Sequence, residues 1–303
     1  MRKQIIFFLY ALICLQFLAC AGTKTETKNE KVLREEHFLW KAEKAGAPAI
    51  WLLGSIHLAD SSFYPLPSII DSALDAATLV AAELDVSEPE TIQKAGLLMA
   101  QKGALAPGKK LKEVLPDSLY FRVDSLVSAW GIPLEILEPF RPWMVAISLS
   151  ALAIERSGLS GEFGIDQEIL ARAGDQGKKI FALETPEEQV GIFANAEDSL
   201  GIQYLKATLD EIAVADSFVQ EMAKAWKMGD EVKMRELLDS DKSEDVYEEE
   251  LYTKRNLRMA AVIDSLALSG EKAFVVIGCA HLIGEGDNVL KLLEKKNYKI
   301  TKN

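Results

Sequence analysis

The stretch Ala49-Ile50-Trp51-Leu52-Leu53-Gly54-Ser55-Ile56-His57-Leu58 returns near the far end of the chain as Lys272-Ala273-Phe274-Val275-Val276-Ile277-Gly278-Cys279-Ala280-His281-Leu282. Each copy is a short apolar run rich in Val, Ile, Phe or Trp, followed at once by Gly-x-x-His-Leu. A run of that length and composition suits a strand buried on both faces, whereas a helix so short would be marginal. The glycine lets the backbone turn tightly and lets a ligand or a neighbouring strand approach, so each histidine is expected just beyond the carboxyl end of its strand. In open α/β sheets ligands bind at that edge. One histidine near a strand end is usually a hydrogen-bonded structural residue. Two at the same place in a repeat, out of only three in the chain, point to a shared site.

Working outward, residues 78–86 (TLVAAELDV) form another apolar run that delivers Glu83 where it ends. Glu83 is either a salt-bridged strand-end residue or a metal ligand or acid/base group. Residues 177–186 (GKKIFALETP) repeat the theme with Glu184. Strand, polar terminus, helix recurs, which predicts an α/β fold with a mixed, largely parallel central sheet flanked by helices. Residues 37–42 read as an edge strand joined by a turn at 44–48 to the first Gly-x-x-His strand, with His37 a surface residue. Helices are expected over 66–77, 88–102, 116–130 and, after Pro142 in a first helical turn, 144–154. Residues 133–140 (PLEILEPF) alternate enough to be a strand. Arg141 follows as an anion-binding group or a charged element end. Asp166 opens a helix through Ala173 and is well placed there as an N-cap.

From 198 to 269 the pattern is helical, a helical insertion before the last core strand. Its acidic run at 239–250 reads as a solvated face or loop. Arg255 is a surface arginine or, being near the second histidine strand, a site residue. A turn at 284–287, a helix over 288–295 and a last strand over 296–300 close the chain.

The 303 residues, 49% hydrophobic, are enough for a sizeable core. Residues 1–20 are set apart from it: Arg2 and Lys3 precede an apolar run that ends at Phe17-Leu18-Ala19-Cys20, the layout of a bacterial secretory signal and too short for a comfortable membrane span. Cys20 after a small residue reads as a lipoprotein-type signal, with an ordinary signal peptide or an uncleaved anchor as alternatives. Residues 21–35 are polar, as a flexible tether between a lipid and a folded domain of residues 36–303 would be. The expected address is the bacterial cell envelope, with membrane attachment through a lipid on Cys20. Cys14 and Cys20 lie in the leader, so Cys279 alone remains in the domain and no disulfide framework forms within it. The formal charge of −12 becomes −14 without Arg2 and Lys3, which makes nucleic acid or anionic lipid headgroups poor partners.

With these residues in view the chain resembles the TraB/GumN family, related to the TIKI proteins and more distantly to the erythromycin-esterase and ChaN-like folds. The resemblance covers roughly residues 38–300 and is carried by Leu39-Trp40-Lys41, WLLGSIHL (51–58), VAAELD (80–85), Arg141-Pro142-Trp143, Gly164-Ile165-Asp166, LETPEEQ (183–189), Lys254-Arg255-Asn256 and IGCAHLIGEG (277–286). Cys279 stands where the family more often has a small residue such as Ala, and Arg141 where Lys is common. The resemblance implies a metal-dependent peptidase or hydrolase, with His57, His281 and Glu83 in its site and Glu184, Arg255 and Asp166 beside them; it implies no particular substrate, and a peptide or protein is the expected one. Two imidazoles and a carboxylate suit a divalent metal such as manganese, cobalt or zinc, with an open position for water. Glu184 would then be a general base or orient a histidine, and Arg255 would stabilise an oxyanion. Two rivals stand beside this reading. One is a metal-independent esterase-like hydrolase with a histidine as base, and the other a surface-tethered module that binds a metal or haem without turnover.

Overall fold

The structure, a computed structural model, describes residues 36–212, 215–239, 247–284 and 286–303. The expected leader and tether, residues 1–35, lie outside them, as does most of the acidic run. Six strands make one sheet: β1 (Leu39–Glu43), β2 (Ile50–Ser55), β3 (Leu79–Ala82), β4 (Lys179–Ala182), β5 (Ala273–Gly278) and β6 (Lys299–Lys302). Their order is β4-β3-β5-β2-β1-β6. The first four in that order are mutually parallel, and β1 pairs antiparallel with both β2 and β6. The sheet is therefore mixed and largely parallel, as the repeated strand-then-helix pattern predicts.

The two repeated runs lie side by side, with Leu52 opposite Val275 and Gly54 opposite Ile277. Both are almost wholly buried, which is why they read as continuous apolar runs instead of alternating ones. The hairpin between β1 and β2 is present, but β1 is not an edge. β6 covers it, and the charged and polar side chains of Lys299-Ile300-Thr301-Lys302 suit that outer place.

Twelve helices surround the sheet among the described residues. They are α1 (Ser68–Ala76), α2 (Pro89–Gly103), α3 (Asp117–Ala129), α4 (Pro142–Arg156), α5 (Ile165–Asp175) and α6 (Pro186–Ala194), then α7 (Asp198–Ile212), α8 (Ala215–Lys227), α9 (Glu231–Asp239), α10 (Lys254–Leu268), α11 (Cys279–Ile283) and α12 (Val289–Lys295). α4 starts on Pro142, whose missing N–H costs nothing in a first turn. α6 starts on a capping box in which Thr185 and Glu188 bond each other's backbone N–H. α7 to α10 fill the helical stretch before β5. A second apolar core, separate from the one around the sheet, is built from α2, α3, α4, α6 and α7 around Trp143, Phe193, Tyr204 and Tyr247.

Residues 133–140 are not a strand. Leu134–Ile136 is a single 3₁₀ turn, Leu137 drops into the second core and Ile136 is 57% exposed. Pro133 and Pro139 bracket too few donors for a ladder, and both sheet edges are already taken by β4 and β6. Arg141, just after, pairs with Asp198 at 2.7 Å and donates to the Ala194 carbonyl, so it ties element ends together.

Candidate active site

The carboxyl ends of the four parallel strands face the same way, and each delivers one polar side chain. Read across the sheet, these are Glu184 after β4, Glu83 after β3, His281 after β5 and His57 after β2. Two helices that return over this edge supply the partners: α5 brings Asp166, and α10 brings Arg255 and Asn256. All six residues singled out in the sequence thus fall in one connected network.

His57 sits in the loop after β2. That loop is fixed by the Ile165 N–H on the Ile56 carbonyl at 3.1 Å and by paired backbone bonds between Ala59 and Ser160. Its Nδ1 lies 3.0 Å from Asp166 Oδ2, so the imidazole donates there and directs Nε2 the other way. Asp166 is not the N-cap of α5. Gly164 holds that position, and Asp166, one residue into the helix, spends its carboxylate on His57. A glycine is needed at 164, since a Cβ would stand 2.7 Å from the His57 carbonyl and 2.9 Å from Asp166 Oδ1. Burial disfavours the His57 charge, but the charge and hydrogen bond of Asp166, helped by Glu83, raise its pKa to about 9.

His281 lies inside the short helix α11, which begins directly on Gly278, rather than in a loop. Gly54 likewise stays within β2 and serves a close approach instead of a turn: a Cβ there would meet Cys279 Sγ at 2.7 Å. His281 Nδ1 is 2.6 Å from Asn256 Oδ1. Asn256 uses its Nδ2 on the Asp287 carbonyl at 3.2 Å, which orients the amide and makes Nδ1 of His281 the donor. Burial and the Arg255 charge lower the His281 pKa to about 4, so this imidazole is neutral with its lone pair on Nε2, 3.9 Å from Glu83 Oε1. The Tyr252 ring meets it edge to face.

Glu83 accepts the Gly278 N–H at 2.7 Å on Oε1 and Arg255 Nη2 at 2.6 Å on Oε2. Burial would raise its pKa, but Arg255, both histidines and the Gly278 N–H bring it down to about 2. Arg255 is 3% exposed and gives every bond to its neighbours: Nε and Nη2 to Glu184, Nη2 to Glu83 and Nη1 to the Leu251 carbonyl. Arg258 and Gln189 also donate to Glu184. Arg255 thus bridges the two carboxylates.

One profile of known families matches the chain, and it does so over residues 38–302: the TraB/PrgY/gumN family. The chain belongs to this family. The uncharacterized protein YbaP of Escherichia coli (strain K12) is 27% identical to it over 259 residues, 84% of this chain and 93% of YbaP. YbaP of Shigella flexneri matches with the same identity and coverage. No solved structure matches significantly.

The region matched to the family holds the whole network and a point of convergence within it. A Cβ added at Gly278 would lie 3.4 Å from Glu83 Oε1, 3.7 Å from His57 Nε2 and 3.8 Å from His281 Cδ2, so three ligand-type groups surround a space that one methyl would fill. Among the described residues no three His, Cys, Asp or Glu side chains stand, as placed, where they could hold a metal ion. The donor chemistry nevertheless fits a cation. Both imidazoles have Nδ1 held by an oxygen acceptor, the arrangement that fixes the tautomer of ligating histidines. Asn256, and with it Ser55 and Gln189 at the same sheet edge, stand in the quoted motifs but have no site role in the sequence reading. Asn256 carried a signal all the same, because it falls on the apolar face of α10 with Met259, Ala260 and Ile263.

Proposed function

We propose that the chain is a metal-dependent hydrolase acting on peptide bonds, with His57, His281 and Glu83 holding a divalent cation, manganese, cobalt or zinc. The observation that carries this reading is the pair of Gly-x-x-His imidazoles, each with Nδ1 tied to an oxygen acceptor and both edges turned to Glu83 around Gly278. When bound, the cation supplies Lewis acidity to polarise a carbonyl and activate water.

The chain's own groups divide the remaining work. Asp166 holds the His57 ring and its Nδ1 proton, and Asn256 does the same for His281. Arg255 gives three bonds to Glu83 and Glu184 and a fourth to the Leu251 carbonyl, so it chiefly positions Glu83, and an oxyanion would have only its remaining Nη1 N–H to meet. Glu184 takes bonds from two arginines and a glutamine, and the Arg255 charge outweighs burial to hold its pKa below the usual carboxylate value. It anchors Arg255 and is a poor base. His57 carries a proton at neutral pH when no cation is present, so loading releases that proton and tightens as pH rises toward about 9. The same proposal tethers the protein to the bacterial cell envelope through a lipid on Cys20.

One observation favours a second reading. The His57–Asp166 pair, 3.0 Å apart, is also the one that a metal-independent esterase-like hydrolase with His57 as base would use, with activity rising toward the pH of about 9 at which His57 gives up its proton. Elemental analysis of the purified full chain and of its His57→Ala/His281→Ala variant separates the two. About one equivalent of a transition metal in the parent and none in the variant supports the cation site. No metal in either, after dialysis against manganese, cobalt and zinc in turn, overturns it and leaves the metal-free hydrolase.

A further inference from the structure

We infer that Ser55 and Gln189 hold a water molecule beside His57 and Glu83, and that this is the water consumed in the hydrolysis proposed above, on which the second half of the inference rests. A cavity of about 10 Å³ lies at the sheet edge, lined by Ser55, His57, Glu83, Asp166 and Gln189 among others. That is room for about one water and for nothing larger.

Two of its lining groups are buried oxygens lacking a hydrogen-bond partner. Ser55 is 1% exposed and Gln189 4%, and neither Ser55 Oγ nor Gln189 Oε1 meets a hydrogen-bond partner among the described residues. The Gln189 amide is not free to turn. Its Nε2 donates to Glu184 Oε2 at 3.0 Å, and a carboxylate only accepts, so the carbonyl oxygen is the atom that faces away and it requires a donor. A serine hydroxyl both donates and accepts. Native interiors rarely leave such atoms unsatisfied, and when two line one small cavity a single water, with two donors and two acceptors, satisfies both. An apolar occupant would satisfy neither.

The positions explain themselves by element. Ser55 ends β2 two residues before His57, and Gln189 lies on the buried face of α6, five residues after Glu184. A water donating to Gln189 Oε1 has its oxygen lone pair directed away from that acceptor. In hydrolysis its oxygen bonds to the acyl carbon, the C–N bond breaks, and its protons end on the leaving amine and the new carboxyl group. Gln189 and Ser55 set where that oxygen starts.

The test is diffraction from crystals of the full chain at a resolution that places single waters, for the parent, Ser55→Ala/Gln189→Met and Ser55→Thr. The expected result is one fully occupied peak within hydrogen-bond distance of both oxygens in the parent, absent from the double variant and retained in Ser55→Thr, with equal metal content in all three. Amine release from casein should then fall roughly 100-fold in the double variant, the scale of a lost transition-state hydrogen bond, and recover in Ser55→Thr. No peak in the parent, or a peak that persists in the double variant, overturns the water site. A parent that shows the peak but releases no amine overturns the hydrolase reading and the water's consumption, and leaves the water site standing.

Discussion

Arg255 is the residue on which the site's electrostatics turn. It is 3% exposed and lies between Glu83 and Glu184, both also buried, so it neutralises two carboxylates that would otherwise repel each other without solvent. Removing one partner of a buried ion pair costs far more than the pair itself contributes, because the charges left behind are uncompensated. Arg255→Met should therefore lower unfolding free energy by about 3–5 kcal/mol, read as a shifted denaturant midpoint at unchanged slope. Arg255→Lys should recover only part of it, since one ammonium does not reproduce the fork that serves both carboxylates. The same cluster fixes how stability of the metal-free protein responds to pH. His281, lowered from 6.5 to about 4, contributes fully above pH 6.5 and its contribution is lost as pH falls toward 4. Glu83, lowered from 4.5 to about 2, adds a further loss below pH 4.5. His57, raised to about 9, contributes fully below pH 6.5 and is lost as pH rises through 9. Thermal midpoints of the metal-stripped chain should peak near pH 6.5 and fall on both sides. A midpoint still rising at pH 9 would contradict the His57–Asp166 pairing. Gly278→Ala probes the convergence point directly. Gly278 has φ −53 and ψ 138, open to alanine, and the added Cβ meets only ordinary contacts. Stability should change by less than about 1 kcal/mol, while the methyl fills the space between the three ligand-type groups and metal content drops at least tenfold.

At the scale of elements, the sequence was most readable where an apolar run stops at a polar residue. Glu83, His57 and His281 are visible that way because their strands are buried on both faces, whereas Glu184 follows the exposed edge strand β4 and is visible only because it repeats the pattern of a run ending at a carboxylate. It was least readable where a helix supplies a partner from far along the chain. Asp166 looked like a cap because a carboxylate at a helix start normally is one. Yet it shares a buried face with Ile169, Leu170 and Ala173, just as Asn256 shares one with Met259 and Ile263 and Gln189 one with Val190 and Phe193. A polar residue in the apolar stripe of a helix was the available signal, and spacing within the helix cannot say which strand end it will meet. Gly54 shows the same limit. Its motif suggests a tight turn and the approach of a ligand or a strand, and its use is the approach alone, by the helix α11. Gly54→Ala would place a Cβ 2.7 Å from Cys279 Sγ and 3.4 Å from Cys279 Cα, which should cost about 1–3 kcal/mol by overpacking. Cys279→Ala in the same chain removes the sulfur and should restore most of the loss. Additive denaturant midpoints in the double variant would mean that the glycine is needed for some other reason.

On the scale of the whole molecule, the sheet is organised so that chemistry and closure sit at opposite sides. The site spans the ends of β4, β3, β5 and β2, whereas β1 and β6 carry none of it and finish the sheet. β6 matters because β1 is unsuited to be an edge: Leu39, Trp40 and Ala42 are buried, and its outer backbone groups are satisfied by β6 and by the Asn303 N–H on the Leu39 carbonyl at 2.9 Å. Deleting residues 299–303 while keeping Tyr298, whose hydroxyl bonds Asp264 at 2.9 Å, would leave a row of unpaired donors and acceptors beside an apolar strand. Such an edge pairs with another copy of itself. Sedimentation velocity should show a weight-average coefficient that rises with concentration more steeply for the truncated chain than for the parent. Because the new edge strand β1 carries none of the site and the strand beside it, β2, stays paired with β5, metal content per chain should stay at the parent's value. Loss of metal together with association would instead mean that closure of the far edge holds the histidine strands in register. A truncated chain that behaves like the parent in both respects would mean that β1 can stand uncovered, as its sequence first suggests.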